Sequence, residues 1–65
     1  MEIYVDKVRT AKGMSASELS RLSGVSLAHI HYIERGEKMP SIKVICKIAK
    51  ALEVHPSELF SCESH

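Results

Sequence analysis

By type, the residues of this chain best suited to hold a metal are four histidines (His29, His31, His55 and His65) and two cysteines (Cys46 and Cys62). A structural zinc site needs four such ligands in paired spacings, as in C-x2-C followed by H-x3-H. Cys62-Glu63-Ser64-His65 offers one C-x-x-H and no second pair. His29 and His31, two apart on a helix, point in different directions. Serine, histidine and glutamate are all present, but in no nucleophile elbow and no glycine-rich phosphate loop. The expectation is no metal, no cofactor and no enzyme activity. What remains is contact chemistry, concentrated in Leu27-Ala28-His29-Ile30-His31-Tyr32. Here His31 and Tyr32 are hydrogen-bond donors, while Leu27 and Ala28 offer only apolar surface.

Those residues must be held by the segment from Met14 to Pro40, MSASELSRLSGVSLAHIHYIERGEKMP. It reads as two short helices joined by a tight turn at Ser23-Gly24-Val25 and closed by Glu34-Arg35-Gly36. A helix pair set at a steep angle by a short turn containing glycine is the unit that places a helix in the DNA major groove. Ser15-Ala16-Ser17-Glu18 predicts a capping box, and the helix it opens runs to Leu22 or Ser23, burying Leu19 and Leu22. Gly24 permits a left-handed turn residue, Val25 plugs the inside of the turn, and Ser26 caps a helix reaching about Arg35 with Ile30 and Ile33 inward.

The flanking elements follow from the same punctuation. A first helix is expected from about Ile3 to Lys12, with Ile3, Val5, Val8 and Ala11 apolar and Gly13 ending it. Ser41 caps a fourth helix from Ile42 to Leu52, whose apolar stripe is Ile42, Ile45, Cys46, Ile48, Ala49 and Leu52 and whose polar face carries Lys43, Lys47 and Lys50. Pro56, at the first position of a short fifth helix, brings Leu59 and Phe60 back onto the core. One domain over 1–65 is expected, ordered from about 3 to 60, with Ser61 to His65 a frayed tail.

Composition bounds the rest. Sixty-five residues, 45% of them hydrophobic and only three aromatic (Tyr4, Tyr32, Phe60), make one small domain with an aliphatic core and little room for a catalytic pocket. Few rings argue against a base-stacking surface for single strands. The net charge of +1 is weak for a nucleic-acid binder, so the placement of the basic residues matters more than their sum. Cys46, within an apolar run, reads as a buried free thiol. No leader-like or membrane-spanning apolar run is visible, and the expected location is the cytoplasm.

The stretches KGMSASEL, LSGVS, IHYIERGEKMPS, IAKALEV and SELF, spread over roughly residues 4 to 60, resemble the phage-repressor (Cro/cI, XRE-type) helix-turn-helix DNA-binding family. The resemblance implies an all-α, compact five-helix bundle of the lambda-repressor-like type, with the third helix as recognition helix and the second crossing the DNA backbone. It also implies a structural ion pair between Arg9 and Glu34, which suits an arginine on an otherwise apolar helix face. The function implied is a sequence-specific double-stranded DNA-binding transcriptional regulator, acting as a repressor at a palindromic operator. Such proteins bind as two-fold dimers with half-sites about 34–36 Å apart. A weak homodimer is expected here, through residues such as Val54, His55, Leu59 or Phe60.

Base edges are met by the outward face at the start of the recognition helix, here Leu27, Ala28, His31 and Tyr32. Leu27 and Ala28 can touch thymine methyls, which points to an A·T-rich half-site, and His31 can donate to guanine N7 or O6. Leu27 also lies within reach of the Ile30 and Ile33 stripe, so it faces DNA or packs inward. Candidate phosphate contacts are Ser15, Ala16, Ser17, His29, Lys38, Ser41 and Lys43, drawn from helix starts and basic side chains. Ala16 departs from the family, which often has a phosphate-gripping glutamine there. The low net charge, Ala16 and the Leu27-Ala28 pair leave a second class open: a protein-interaction module or antitoxin on the same scaffold.

Overall fold

Three serines start three of the helices. In the computed structural model, which describes residues 2–37 and 39–61, Ser15, Ser26 and Ser41 each have extended backbone. Each hydroxyl oxygen accepts from the amide three residues on: Glu18 at 3.0 Å, His29 at 3.1 Å and Val44 at 3.2 Å. Each bond satisfies a donor the helix cannot, worth about 1 kcal/mol. The elements in order are β1 (Glu2–Ile3), α1 (Val5–Ala11), α2 (Ala16–Ser23), α3 (Leu27–Glu34), α4 (Ile42–Leu52), a 3₁₀ turn (Pro56–Glu58) and β2 (Phe60–Ser61). The capping box at Ser15 is half made, because the Glu18 carboxylate turns to Arg21, 4.0 Å away.

Between α2 and α3 the chain reverses through Gly24, which caps α2 in the left-handed region at φ 78°. The turn is locked by the Ser20 hydroxyl donating to the Val25 carbonyl at 2.7 Å and by the Val25 amide donating to Ser23 Oγ at 3.2 Å. Val25, buried, plugs the inside of the angle. Of the pair, α2 packs chiefly against α4, while α3 packs against α2 and α1. The core is Val5, Leu19, Val25, Ile30, Ile33, Ile45, Ile48, Ala49, Leu52 and Leu59, with no aromatic ring among them.

Several expectations from the sequence are corrected. The described residues form four α-helices; the expected fifth is only the 3₁₀ turn Pro56–Glu58, and the first helix starts at Val5. Ile3 belongs instead to β1, which pairs antiparallel with β2 in the register Glu2 to Ser61 and Ile3 to Phe60. That pairing joins residues too far apart in sequence for a local pattern to reveal. Ser61 is thus not tail: its hydroxyl lies 2.9 Å from the Tyr4 hydroxyl. The Cys62-to-His65 segment, with its C-x-x-H spacing, lies outside the described residues.

The remaining corrections concern burial. Leu22 is 47% exposed, lining a surface groove with Lys47, Lys50 and Ala51 between the ends of α2 and α4. Ile42 is 70% exposed and Cys46 is exposed as well. The buried positions of α4, Ile45, Ile48, Ala49 and Leu52, define a stripe, and Cys46 lies about 100° around the axis from Ile45. Ile42 and Cys46, four apart, share the flank just outside it. Ala11 is also exposed, while Leu59 is fully buried, which removes it from any dimer surface.

Candidate nucleic-acid interface

The outer face of α3 is built by what its inner face buries. Ile30 and Ile33 have no exposed surface and pin the helix to the core. On the other side Leu27, Ala28, His31 and Tyr32 are all exposed, Leu27 at 38% and Tyr32 at 39%. The open choice for Leu27 is thus resolved outward. These four spacings (i, i+1, i+4, i+5) form one stripe on a helix, so a flat or concave surface meeting α3 touches them together.

One ion pair ties α3 to α1. Arg9 Nε donates to Glu34 Oε2 at 2.9 Å, and Nη2 donates to Oε1 at 3.1 Å. The third arm, Nη1, donates to the Met14 carbonyl at 2.9 Å, so the guanidinium joins α1, α3 and the turn before α2. The side chains are only 18% and 9% exposed, and the fork-to-fork geometry restricts rotation of the helix as well as its distance. The Glu34 hydrogen bond raises the Arg9 pKa from its already high ordinary value, against the desolvation that lowers it. The pair is a structural tie between α3 and the rest of the bundle.

The candidate phosphate contacts divide by position. Ser15 and Ser17 are exposed at the start of α2, while Ala16 is half-buried and packs on the core, leaving it a backbone amide and no side chain to offer. Ser41 and Lys43 are exposed at the start of α4. The Ser15 and Ser41 hydroxyls accept as caps through oxygen, and as hydroxyls each still has a proton to donate. His29 is half-buried on α3, about 160° around the axis from His31. Lys38 lies outside the described residues.

Arg35, absent from the candidates drawn from the sequence, sits at the end of the same helix. Its Nε lies 3.3 Å from Glu37 Oε2, and its guanidinium carbon lies 5.5 Å from the centre of the Tyr32 ring. The signal in the sequence is the spacing itself, since Arg35 follows His31 by four. Among the described residues, no cluster of three or more His, Cys, Asp or Glu is placed to hold a metal ion, and no helix is long and apolar enough to cross a membrane.

Comparison with known proteins agrees with this geometry. A helix-turn-helix family model matches residues 5–59. Over 57 residues the chain is 40% identical to the HTH-type transcriptional regulator SlrR of Bacillus subtilis, covering 86% of this chain and 38% of that protein. An HTH-type transcriptional regulator of Mycobacterium tuberculosis is 35% identical over 57 residues, covering 88% of this chain and 41% of that protein. The chain thus spans well under half the length of these relatives. The crystal structure of the restriction-modification controller protein C.AhdI from Aeromonas hydrophila matches with a TM-score of 0.82 at 41% identity, covering 86% of this chain and 85% of that one. From its capped helix pair to its Arg9–Glu34 tie, the chain belongs to the XRE-type helix-turn-helix family.

Proposed function

We propose that this chain is a sequence-specific double-stranded DNA-binding transcriptional regulator that inserts α3 into the major groove and represses by occupying its operator. The observation that carries the reading is the exposed stripe Leu27, Ala28, His31 and Tyr32 on a helix whose opposite face is fully buried and tied down. The names of its relatives as transcriptional regulators support the same class.

In this reading Leu27 and Ala28 rest on thymine methyls while His31 and Tyr32 donate to base edges. Ser15, Ser17, Ser41 and Lys43, with the Ala16 amide, hold the flanking phosphates, and Lys38 and His29 complete the set. Phosphate contacts position the helix and the stripe specifies the sequence. A homodimer on a palindrome supplies the second half-site, and with Leu59 buried its surface draws on half-buried Val54 and Phe60 and exposed His55. Location in a prokaryotic cytoplasm follows from the same function.

Binding to a random duplex pool across a salt series tests this. Enrichment of an A·T-rich palindrome is expected, with log affinity falling by about 0.9 per phosphate contact for each decade of salt. No binding at low salt would overturn the reading in favour of a protein-interaction module.

A further inference from the structure

We propose that Arg35 is a ligand for a DNA backbone phosphate, occupied in the free protein by Glu37, which acts as an intramolecular stand-in for that phosphate. The inference rests on the DNA-binding reading above and adds a contact and a device that tunes it.

Placement comes first. At about 100° per residue, Arg35 falls between His31 and Ala28 around the axis of α3, in the middle of the exposed stripe. It lies about 6 Å beyond His31 along the axis. A helix entering the groove by its N-terminal end presents bases to its first residues and the sugar-phosphate wall to its last. Arg35 is the one permanently charged cation on that stripe among the described residues.

The local backbone then shapes the cation. Arg35 caps α3, and Gly36 follows in the left-handed region at φ 76°. The Gly36 amide donates to the Ile33 carbonyl at 3.1 Å and the Glu37 amide to the Tyr32 carbonyl at 2.9 Å. This Schellman turn folds Glu37 back onto the last turn of the helix. The carboxylate meets Arg35 Nε from one direction at 3.3 Å while the Tyr32 ring flanks the guanidinium at 5.5 Å. Among the described residues Glu37 meets the guanidinium through Nε, leaving the terminal amino groups, the edge that binds a phosphate in bidentate fashion.

Glu37 makes this arrangement a competition. The two side chains are 59% and 52% exposed, so the pair is weak and exchangeable. On DNA a phosphate oxygen replaces the carboxylate, and the displaced Glu37 faces a negatively charged wall. Affinity is lowered by the sum of those two effects, and the part that runs through Arg35 is measurable separately.

The test is a double-mutant cycle in fluorescence anisotropy, using one duplex selected by the wild-type protein and one unrelated duplex. Arg35→Ala should weaken both about equally, by about fivefold, and reduce the salt slope by about 0.9. Glu37→Gln should tighten binding about threefold in the wild-type background and much less when Arg35 is already alanine. Thermal melting controls for folding, since both side chains are exposed. An unchanged slope for Arg35→Ala, a loss confined to the selected duplex, or an equal Glu37→Gln gain in both backgrounds would overturn the assignment. Failure of the wild-type protein to bind either duplex at low salt would overturn the DNA reading and this inference with it.

Discussion

Removing Glu34 isolates the tie between α1 and α3. In Glu34→Ala, Arg9 loses two charge-assisted hydrogen bonds, at 2.9 and 3.1 Å, and keeps the one to the Met14 carbonyl. Two such bonds are worth about 3 kcal/mol gross. A fully buried orphaned charge would cost about 3–5 kcal/mol, but the Arg9 side chain is 18% exposed and rehydrates in part. The net expectation is about 2 kcal/mol, against a total stability of about 3–10 kcal/mol for a chain of this length. The melting temperature should then fall by about 8–16 °C, followed by far-UV circular dichroism. The double variant Arg9→Met, Glu34→Leu should recover most of that loss, because the pair's attraction roughly repays its own desolvation. On the Arg9 side the sign is simple. A raised guanidinium pKa stabilises the fold at every pH below the unfolded-state value, and that contribution fades only on rising through the still higher folded-state value. Arg9 itself thus adds no pH dependence in the neutral range. A cost below about 0.5 kcal/mol for Glu34→Ala, the size of an ordinary surface change, would refute the structural role. So would a double variant as unstable as the sum of its singles.

Other substitutions probe single features. Glu53 caps α4 in the left-handed region at φ 60°, where a side chain is strained, so Glu53→Gly should raise stability by about 1 kcal/mol in urea unfolding. Gly24→Ala meets nothing within 4 Å, so its cost is backbone strain alone, about 1 kcal/mol, read from the same curves. In selection from random duplexes, His31→Ala should change base preference while Lys43→Ala weakens all sequences alike. Equal losses on every sequence for both would refute the division of roles.

Most of the helical frame was readable because its signals are local. Ser15, Ser26 and Ser41 mark helix starts, Gly24 and Gly36 mark stops, and i, i+3, i+4 spacing marks Ile30–Ile33 and Ile45–Leu52 as inward. Periodicity gives the direction of a stripe but not its width, which neighbouring helices decide. That is why Leu22, Ile42 and Cys46 fit an inward pattern and lie outward. The pairing of Ile3 with Phe60 has no local signal at all. Within the site, the outward positions of α3 follow from the buried ones. The partners of Arg35 do not, since Glu37 reaches it only through the reversal at Gly36.

The strand pair also settles how tension reaches the helices. Glu2 lies opposite Ser61, the Tyr4 amide donates to the Leu59 carbonyl at 2.7 Å, and the Tyr4 and Ser61 hydroxyls close the arrangement. A pull applied through chain attached beyond both Glu2 and Ser61 loads this short antiparallel ladder first, one rung at a time. The ladder is a mechanical fuse: it opens before strain arrives at α3, so that helix keeps its angle.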